Sequence, residues 1–236
     1  MLKNIKQLYG NKLGASDGDI GHVKDFYFDD TTWAVRYLVA DTGSWLAGRL
    51  VLLSPHAFGE IDSEAKVLLI NLSRKQIENS PPIDSHRPVS RQYEEDYYRY
   101  YGLPVYWEGS FVWGMGSYPV VMPPPGPALR THREHQKSCD SHLRSTQAIT
   151  GYHIQTADGT IGHVSSFLVD DKSWVIGELI VETGHWHLGK EILISPSKIG
   201  RIDYEESKVF VNLTKEDIQR TSEGNVAQAV VGNLYK

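Results

Sequence analysis

Apolar side chains along the first third of the chain fall in short runs with a period near two, interrupted by Gly, Pro and Asp clusters, which predicts strands rather than helices. Ile20, Val23, Phe26 and Phe28 are the apolar positions of the first such run. Their alternation breaks between Val23 and Phe26, and a β-bulge near Lys24-Asp25 would restore it. Asp29-Asp30-Thr31-Thr32 supplies polar turn chemistry, and Trp33, Val35, Tyr37 and Val39 then share one face of the next predicted strand. Leu50–Leu53 is a continuous apolar run suited to a more buried strand, and Leu68, Ile70 and Leu72 alternate in the last one. Ser73-x-x-Gln76 has the form of a capping box opening a short helix.

The same pattern recurs without a gap 141 residues later, so that residues 10–80 and 151–221 are two copies of one module. Gly18-Asp19-Ile20-Gly21-His22-Val23 becomes Gly159-Thr160-Ile161-Gly162-His163-Val164, and Phe26, Asp29, Asp30 and Trp33 become Phe167, Asp170, Asp171 and Trp174. Thr214-x-x-Asp217 stands where the first copy has its capping box. Roughly a third of the aligned positions are identical, well above chance for an ungapped match. The fold class expected is mainly β: two small β-barrels related by the repeat, each followed by a short helix. Residues 1–80 form the first module, 81–145 a linker and 146–236 the second module. A module of this size buries only about 60% of its unfolded surface. An intramolecular pseudo-dimer of the two barrels is therefore expected, with a homo-oligomer as a further possibility.

The linker has its own signature. Ser90 can cap a helix over about 91–101, with Glu95 and Arg99 four apart, Gly102 ending it and Pro104 beyond. Tyr93, Tyr97 and Tyr100 or Tyr101 make an aromatic stripe along that helix. Tyr106-Trp107, Phe111 and Trp113 follow, then the Pro-rich stretch 122–127. A flexible linker is rich in Gly and Ser and poor in aromatics, so this segment is expected to dock. Its aromatics either cover a barrel face of the same chain or anchor a partner, and Tyr106, Trp107, Phe111 and Trp113 are the partner-binding candidates.

Charge narrows the partners. The net charge is −5. Residues 1–80 carry 9 basic and 10 acidic side chains, residues 81–142 carry 6 and 7, and residues 143–236 carry 9 and 12. No third is basic, so the phosphate-neutralising surface of a nucleic-acid binder is not expected. The start has no export-signal pattern, no stretch reaches the roughly 18–20 apolar residues of a membrane span, and the single Cys139 fits a reducing compartment. The expected location is cytoplasmic, with no transmembrane segment.

Arg36-Tyr37-Leu38-Val39-Ala40-Asp41-Thr42-Gly43-Ser44-Trp45-Leu46-Ala47-Gly48-Arg49, followed by Val51-Leu52-Leu53-Ser54-Pro55 and preceded by Asp17-Gly18-Asp19-Ile20-Gly21-His22-Val23, resembles the PRC-barrel domain. That domain is a compact β-barrel of the photosynthetic reaction centre H subunit and of the ribosome maturation factor RimM. The second copy, through Thr183-Gly184-x-Trp186-x-x-Gly189, shares the resemblance and departs from it at Glu178, His185 and His187. The chain lacks the membrane helix of the former setting and the separate barrel that precedes the domain in the latter. The resemblance implies the fold and docking onto a larger complex, and carries neither specific function across.

Several candidate sites remain. Asp41, Gly43, Trp45, Gly48 and Arg49, with Glu182, Gly184, Trp186, Gly189 and Lys190 in the second copy, read as a structural motif in which an ion pair clamps a glycine-bearing connection. No nucleophile or second acid accompanies it, so no catalytic residue is assigned. His185 and His187 are two apart, share a strand face and are the metal candidates; His132, His135, His142, His153 and His163 fit no zinc spacing. His22 and His163, each after Gly, suggest buried hydrogen bonds. No phosphate loop, dinucleotide glycine pattern or nucleophile elbow occurs, and no cofactor is expected. The expectation is a non-enzymatic adaptor binding a protein complex. The alternatives are a peripheral subunit of a photosynthetic or electron-transport membrane complex and a small-ligand or metal-binding protein.

Overall fold

The structure is a computed structural model that describes residues 1–81, 89, 91–107, 109–114, 116–120, 143–184 and 190–220. The first repeat contains β1 (Leu2–Asn4), β2 (Lys12–Ala15), β3 (Gly18–Asp29), β4 (Val35–Asp41), β5 (Leu50–Leu53), β6 (Phe58–Asp62), β7 (Val67–Ile70) and α1 (Arg74–Glu78). After α2 (Arg91–Tyr101) the second repeats the series. It comprises β8 (Leu143–Ser145), α3 (Thr146–Ile149), β9 (His153–Thr156), β10 (Gly159–Asp170), β11 (Ile176–Thr183), β12 (Glu191–Ile194), β13 (Ile199–Asp203) and β14 (Lys208–Val211). Residues 215–220 are again helical.

Two seven-stranded sheets result, with matching orders β5-β4-β3-β2-β7-β6 and β12-β11-β10-β9-β14-β13. In each, the β2–β7 or β9–β14 pair is parallel, and β2–β3 and β6–β7 run antiparallel like their counterparts in the second sheet. The ladders do not close into the barrels expected from the sequence, because the path stops at β5 and β6. Between those strands the chain turns through a 3-10 helix, Pro55–Ala57, instead of a tight hairpin. Proline offers no amide for a ladder, so the corner breaks the pairing.

Local signals in the sequence map onto this frame. The register of β3 on β4 slips between Val23 and Asp25, where the extra residue is Lys24. Both halves of the capping box form at Ser73 and Gln76. Thr214 and Asp217 exchange the same bonds in the second repeat. Trp33, expected in a strand, is instead a turn residue with φ 58°, and its counterpart Trp174 has φ 54°. Its indole stacks on Phe28 at 5.3 Å, which offsets the cost of a left-handed bulky residue.

Gly21 has a different reason to be glycine. A Cβ there would overlap the carbonyl of Asp41, and one at Gly162 the carbonyl of Glu182. The backbone of β3 thus passes too close to the end of β4 for any side chain.

The repeat also extends further towards the start than the motifs alone suggest. Shifting β1 by 141 residues gives β8. Each of these short strands adds to the other repeat's sheet: β8 pairs with β3, and β1 with β10.

The chain divides into two compact units, residues Met1–Gln147 with Val169–Ile176, and residues Ala148–Leu168 with Gly177–Lys236. The first unit therefore includes the turn between β10 and β11 of the second repeat. Within it Val35 N–H donates to Trp174 O and Ile176 N–H to Trp33 O, both at 2.8 Å, around an antiparallel bridge of Ala34 with Val175. Donors and acceptors correspond at the repeat spacing, so the exchange is a local twofold. Trp174 is buried there, 6.0 Å from Phe26 and 4.6 Å from Phe58 between ring centroids. The second unit has its own core of Ile161, Val164, Phe167, Leu179, Val181 and Val209. Among the described residues, no helix is long and apolar enough to cross a membrane.

Candidate interaction site

Every residue of β4 from Val35 to Ala40 is buried, although a strand with one face on a sheet core should alternate. The second face is covered by α2 and the segment after it. Tyr37 donates its hydroxyl to Glu94 Oε1 at 2.8 Å, and Tyr106 donates to the same oxygen at 2.7 Å. Ser54 N–H donates to the Tyr97 hydroxyl at 2.8 Å. Tyr37 meets Tyr97 edge-on at 5.4 Å. Burial, followed by the neighbouring Glu94 carboxylate, drives the Tyr37 phenol far above its ordinary range, so it stays a donor.

Arg36 holds the next part of the linker. Its guanidinium donates to Val112 O at 2.7 Å, to Thr32 Oγ1 at 2.9 Å and to Asp29 Oδ2 at 3.3 Å. It also lies against the rings of Tyr106, at 3.7 Å, and Trp113, at 4.8 Å. Burial pushes the Asp29 carboxyl up, but Arg36 and the amides of Thr31 and Thr32 outweigh it and hold it below the usual range. An aromatic cage of this kind suits a weakly hydrated planar cation.

His56 closes the cluster. Its Nδ1 is 2.9 Å from Ser54 Oγ, and its ring meets Trp113 edge-on at 5.1 Å and Tyr98 at 6.1 Å. Burial, then the charge of Arg36, lowers it to about 4. This histidine carried no signal of its own in the sequence. The repeat marked Ser54-Pro55, but the second copy has Ser197 at its place.

The four partner-binding candidates separate in the structure. Tyr106 is buried and Trp113 is only 2% exposed; the Trp113 indole donates to Ser173 O at 2.8 Å. Trp107 is half-buried against Tyr98 and Tyr106. Phe111 is 59% exposed, and Tyr118 and Val120 further along the chain are exposed too. A tight turn sorts them. Phe111 and Gly114 exchange backbone bonds at 3.2 and 3.0 Å, and Gly109 packs so closely on Gly114 that a Cβ would overlap its carbonyl. With Trp113 driven inward and Val112 O tied to Arg36, Phe111 points outward at the tip.

The other candidates are placed as follows. Asp41 Oδ1 accepts from Gly43 N–H at 2.9 Å, while Arg49 donates to Glu78 O and Ser80 O at 2.8 and 2.6 Å. The expected Asp41–Arg49 clamp is thus divided: the acid shapes its own turn, and the base ties β5 to the end of α1. Gly43 and Gly48 both have positive φ, and Trp45 lies against the Arg74 guanidinium at 4.7 Å. The α2 pair is Arg99 with Asp96, three residues apart, in place of Glu95. His22 is exposed rather than buried, because the register opposite Asp41 turns Val23 inward and His22 out. His163 Nε2 is 3.6 Å from Glu182, and Thr183, next to Gly184, donates to Lys190 O. Ser90, the Pro-rich stretch, His132, His135, His142, and His185, Trp186, His187 and Gly189 lie outside the described residues. Among those described, no three His, Cys, Asp or Glu side chains converge as metal ligands.

Comparison with protein families matches residues 6–77 to the PRC-barrel domain. The first module is a PRC-barrel domain. The match spans β2 through α1 and includes the strand that carries Arg36 and Tyr37. The second sheet has the same strand order as this domain. No curated protein matches the chain.

Proposed function

We propose that this protein is a non-enzymatic adaptor that binds a protein partner through the loop 109–120 carried on its PRC-barrel domain. The supporting observation is the outward position of Phe111 on a turn whose neighbours, Val112 and Trp113, are fixed from below. An exposed aromatic on a rigid support loses little conformational entropy when it is covered, which favours its use as an anchor. The charged groups beneath it are engaged in packing: Arg36 with Asp29 and Val112, Glu94 with Tyr37 and Tyr106. That is the arrangement of a scaffold.

The reading takes the protein as cytoplasmic and the two repeats as an intramolecular pair, for which the reciprocal bonds at Ala34 and Val175 are the support. Photo-crosslinking from position 118 in cells, followed by pull-down, tests it. A partner recovered reproducibly with the wild-type loop and lost with Phe111→Ser is the expected result. Failure to recover any reproducible partner would overturn it.

A further inference from the structure

Among the described residues, the face of β4 and β5 that α2 covers has a less covered counterpart on the second unit. Leu52 is 1% exposed under α2, whereas its repeat equivalent Leu193 is 46% exposed. Ser54 and His56 are buried; Ser195 is half-buried and Ser197 exposed. Along β11, Leu179, Val181 and Thr183 are buried in the unit's interior. Glu178, Ile180 and Glu182 alternate with them and therefore share the other face. The register sets Ile180 opposite Leu193 and Glu182 opposite Glu191. Leu193 thus projects beside the buried Ile180, 7% exposed, with three glutamates bordering them.

The first module shows what such a face takes: a helix whose Glu94 accepts from Tyr37 of β4 and whose Tyr97 hydroxyl accepts from Ser54 N–H just after β5. The charges show that α2 cannot be the occupant here. Glu178 replaces Tyr37 and Glu191 replaces Leu50, so a helix presenting the equivalent of Glu94 would set carboxylate against carboxylate. Burial already raises the Glu178 carboxyl, an unfavourable state that an approaching cation relieves.

We infer that the β11–β12 face of the second unit is a docking site for a cationic amphipathic helix of a partner protein. Leu193, projecting beside the buried Ile180, receives its apolar stripe, and Glu178, Glu182 and Glu191 its Lys or Arg side chains. The inference rests on the adaptor reading and adds a second, chemically distinct contact to it.

Two synthetic helical peptides about four turns long, identical in their leucine stripe but carrying Lys or Glu at the polar positions, serve as probes against the full chain. Methyl NMR should show the Lys peptide perturbing Ile180 and Leu193 and the Glu peptide leaving them unchanged. Leu193→Asp, at an exposed position that folding does not depend on, should weaken the Lys peptide about tenfold or more. Glu178→Lys with Glu182→Lys should reverse the preference between the peptides. Equal binding to Leu193→Asp, perturbations elsewhere on the surface, binding of neither peptide, or contacts from residues 221–236 on this face in the free protein would each overturn the inference. Phe111→Ser should leave peptide binding intact, so failure of the loop reading and failure of this one remain separate results.

Discussion

The guanidinium carbon of Arg36 lies 3.7 Å from the centroid of the Tyr106 ring, a contact between a strand of the PRC-barrel domain and the linker 70 residues later. The same guanidinium binds Asp29, Thr32 and Val112 O, so one buried cation joins the β3–β4 hairpin to the loop that presents Phe111. Arg36→Ala would leave Asp29 and a backbone carbonyl without their charged donor. A loss of about 3–5 kcal/mol in denaturant unfolding is expected, together with faster hydrogen exchange across 105–114. Arg36→Lys should restore little, because a compact ammonium lacks the planar fork that reaches these acceptors while stacking on the two rings.

His56 makes stability pH-dependent in a defined window. Its folded pKa, about 4, lies below its ordinary value of 6.5, so the unfolded chain takes up this proton first as pH falls. The contribution is fully present above pH 6.5, declines as pH falls towards 4, and is lost below that. The whole step amounts to about 3 kcal/mol. His56→Phe, which keeps a ring between Tyr98 and Trp113, should remove this slope from urea titrations between pH 7 and 4.

Gly21 and Gly48 both have positive φ, 124° and 76°, but only Gly21 lacks room for a Cβ. Gly21→Ala should cost about 2–3 kcal/mol, since it adds a steric overlap with the Asp41 carbonyl to backbone strain. Gly48→Ala should cost only about 1 kcal/mol, from strain alone. Thermal melts of the two variants would measure the difference, and equal shifts would refute the close-approach explanation.

Trp174 belongs to the second repeat in sequence and to the first unit in space. Trp174→Ala should destabilise the first unit by about 3–5 kcal/mol. A double-mutant cycle with Phe58→Ala should show a coupling of about 0.5–1.5 kcal/mol, as expected for their edge-on contact. Additive losses would mean that the ring contact itself contributes nothing.

The sequence by itself determined whatever is decided by neighbours along the chain. The 141-residue repeat, the short strands, the bulge at Lys24, the capping boxes at Ser73 and Thr214, and the PRC-barrel motif were all legible. Each is a matter of spacing, turn chemistry or a bond spanning a few residues. The tertiary structure decided which surfaces are covered. Tyr106 and Trp113 differ little in composition from Phe111, yet two are buried and one projects, because Arg36 and Ser173, far away in sequence, hold the loop from one side. Alternation in β4 could not reveal burial on both faces, since its second cover is a helix beginning 50 residues further on. Nor could it reveal that Trp174 joins the first unit, or that His56 sits between rings of the linker. A residue's own pattern records its strand and its side of the pleat. What lies against that side is set by segments whose approach depends on the packing of the whole chain.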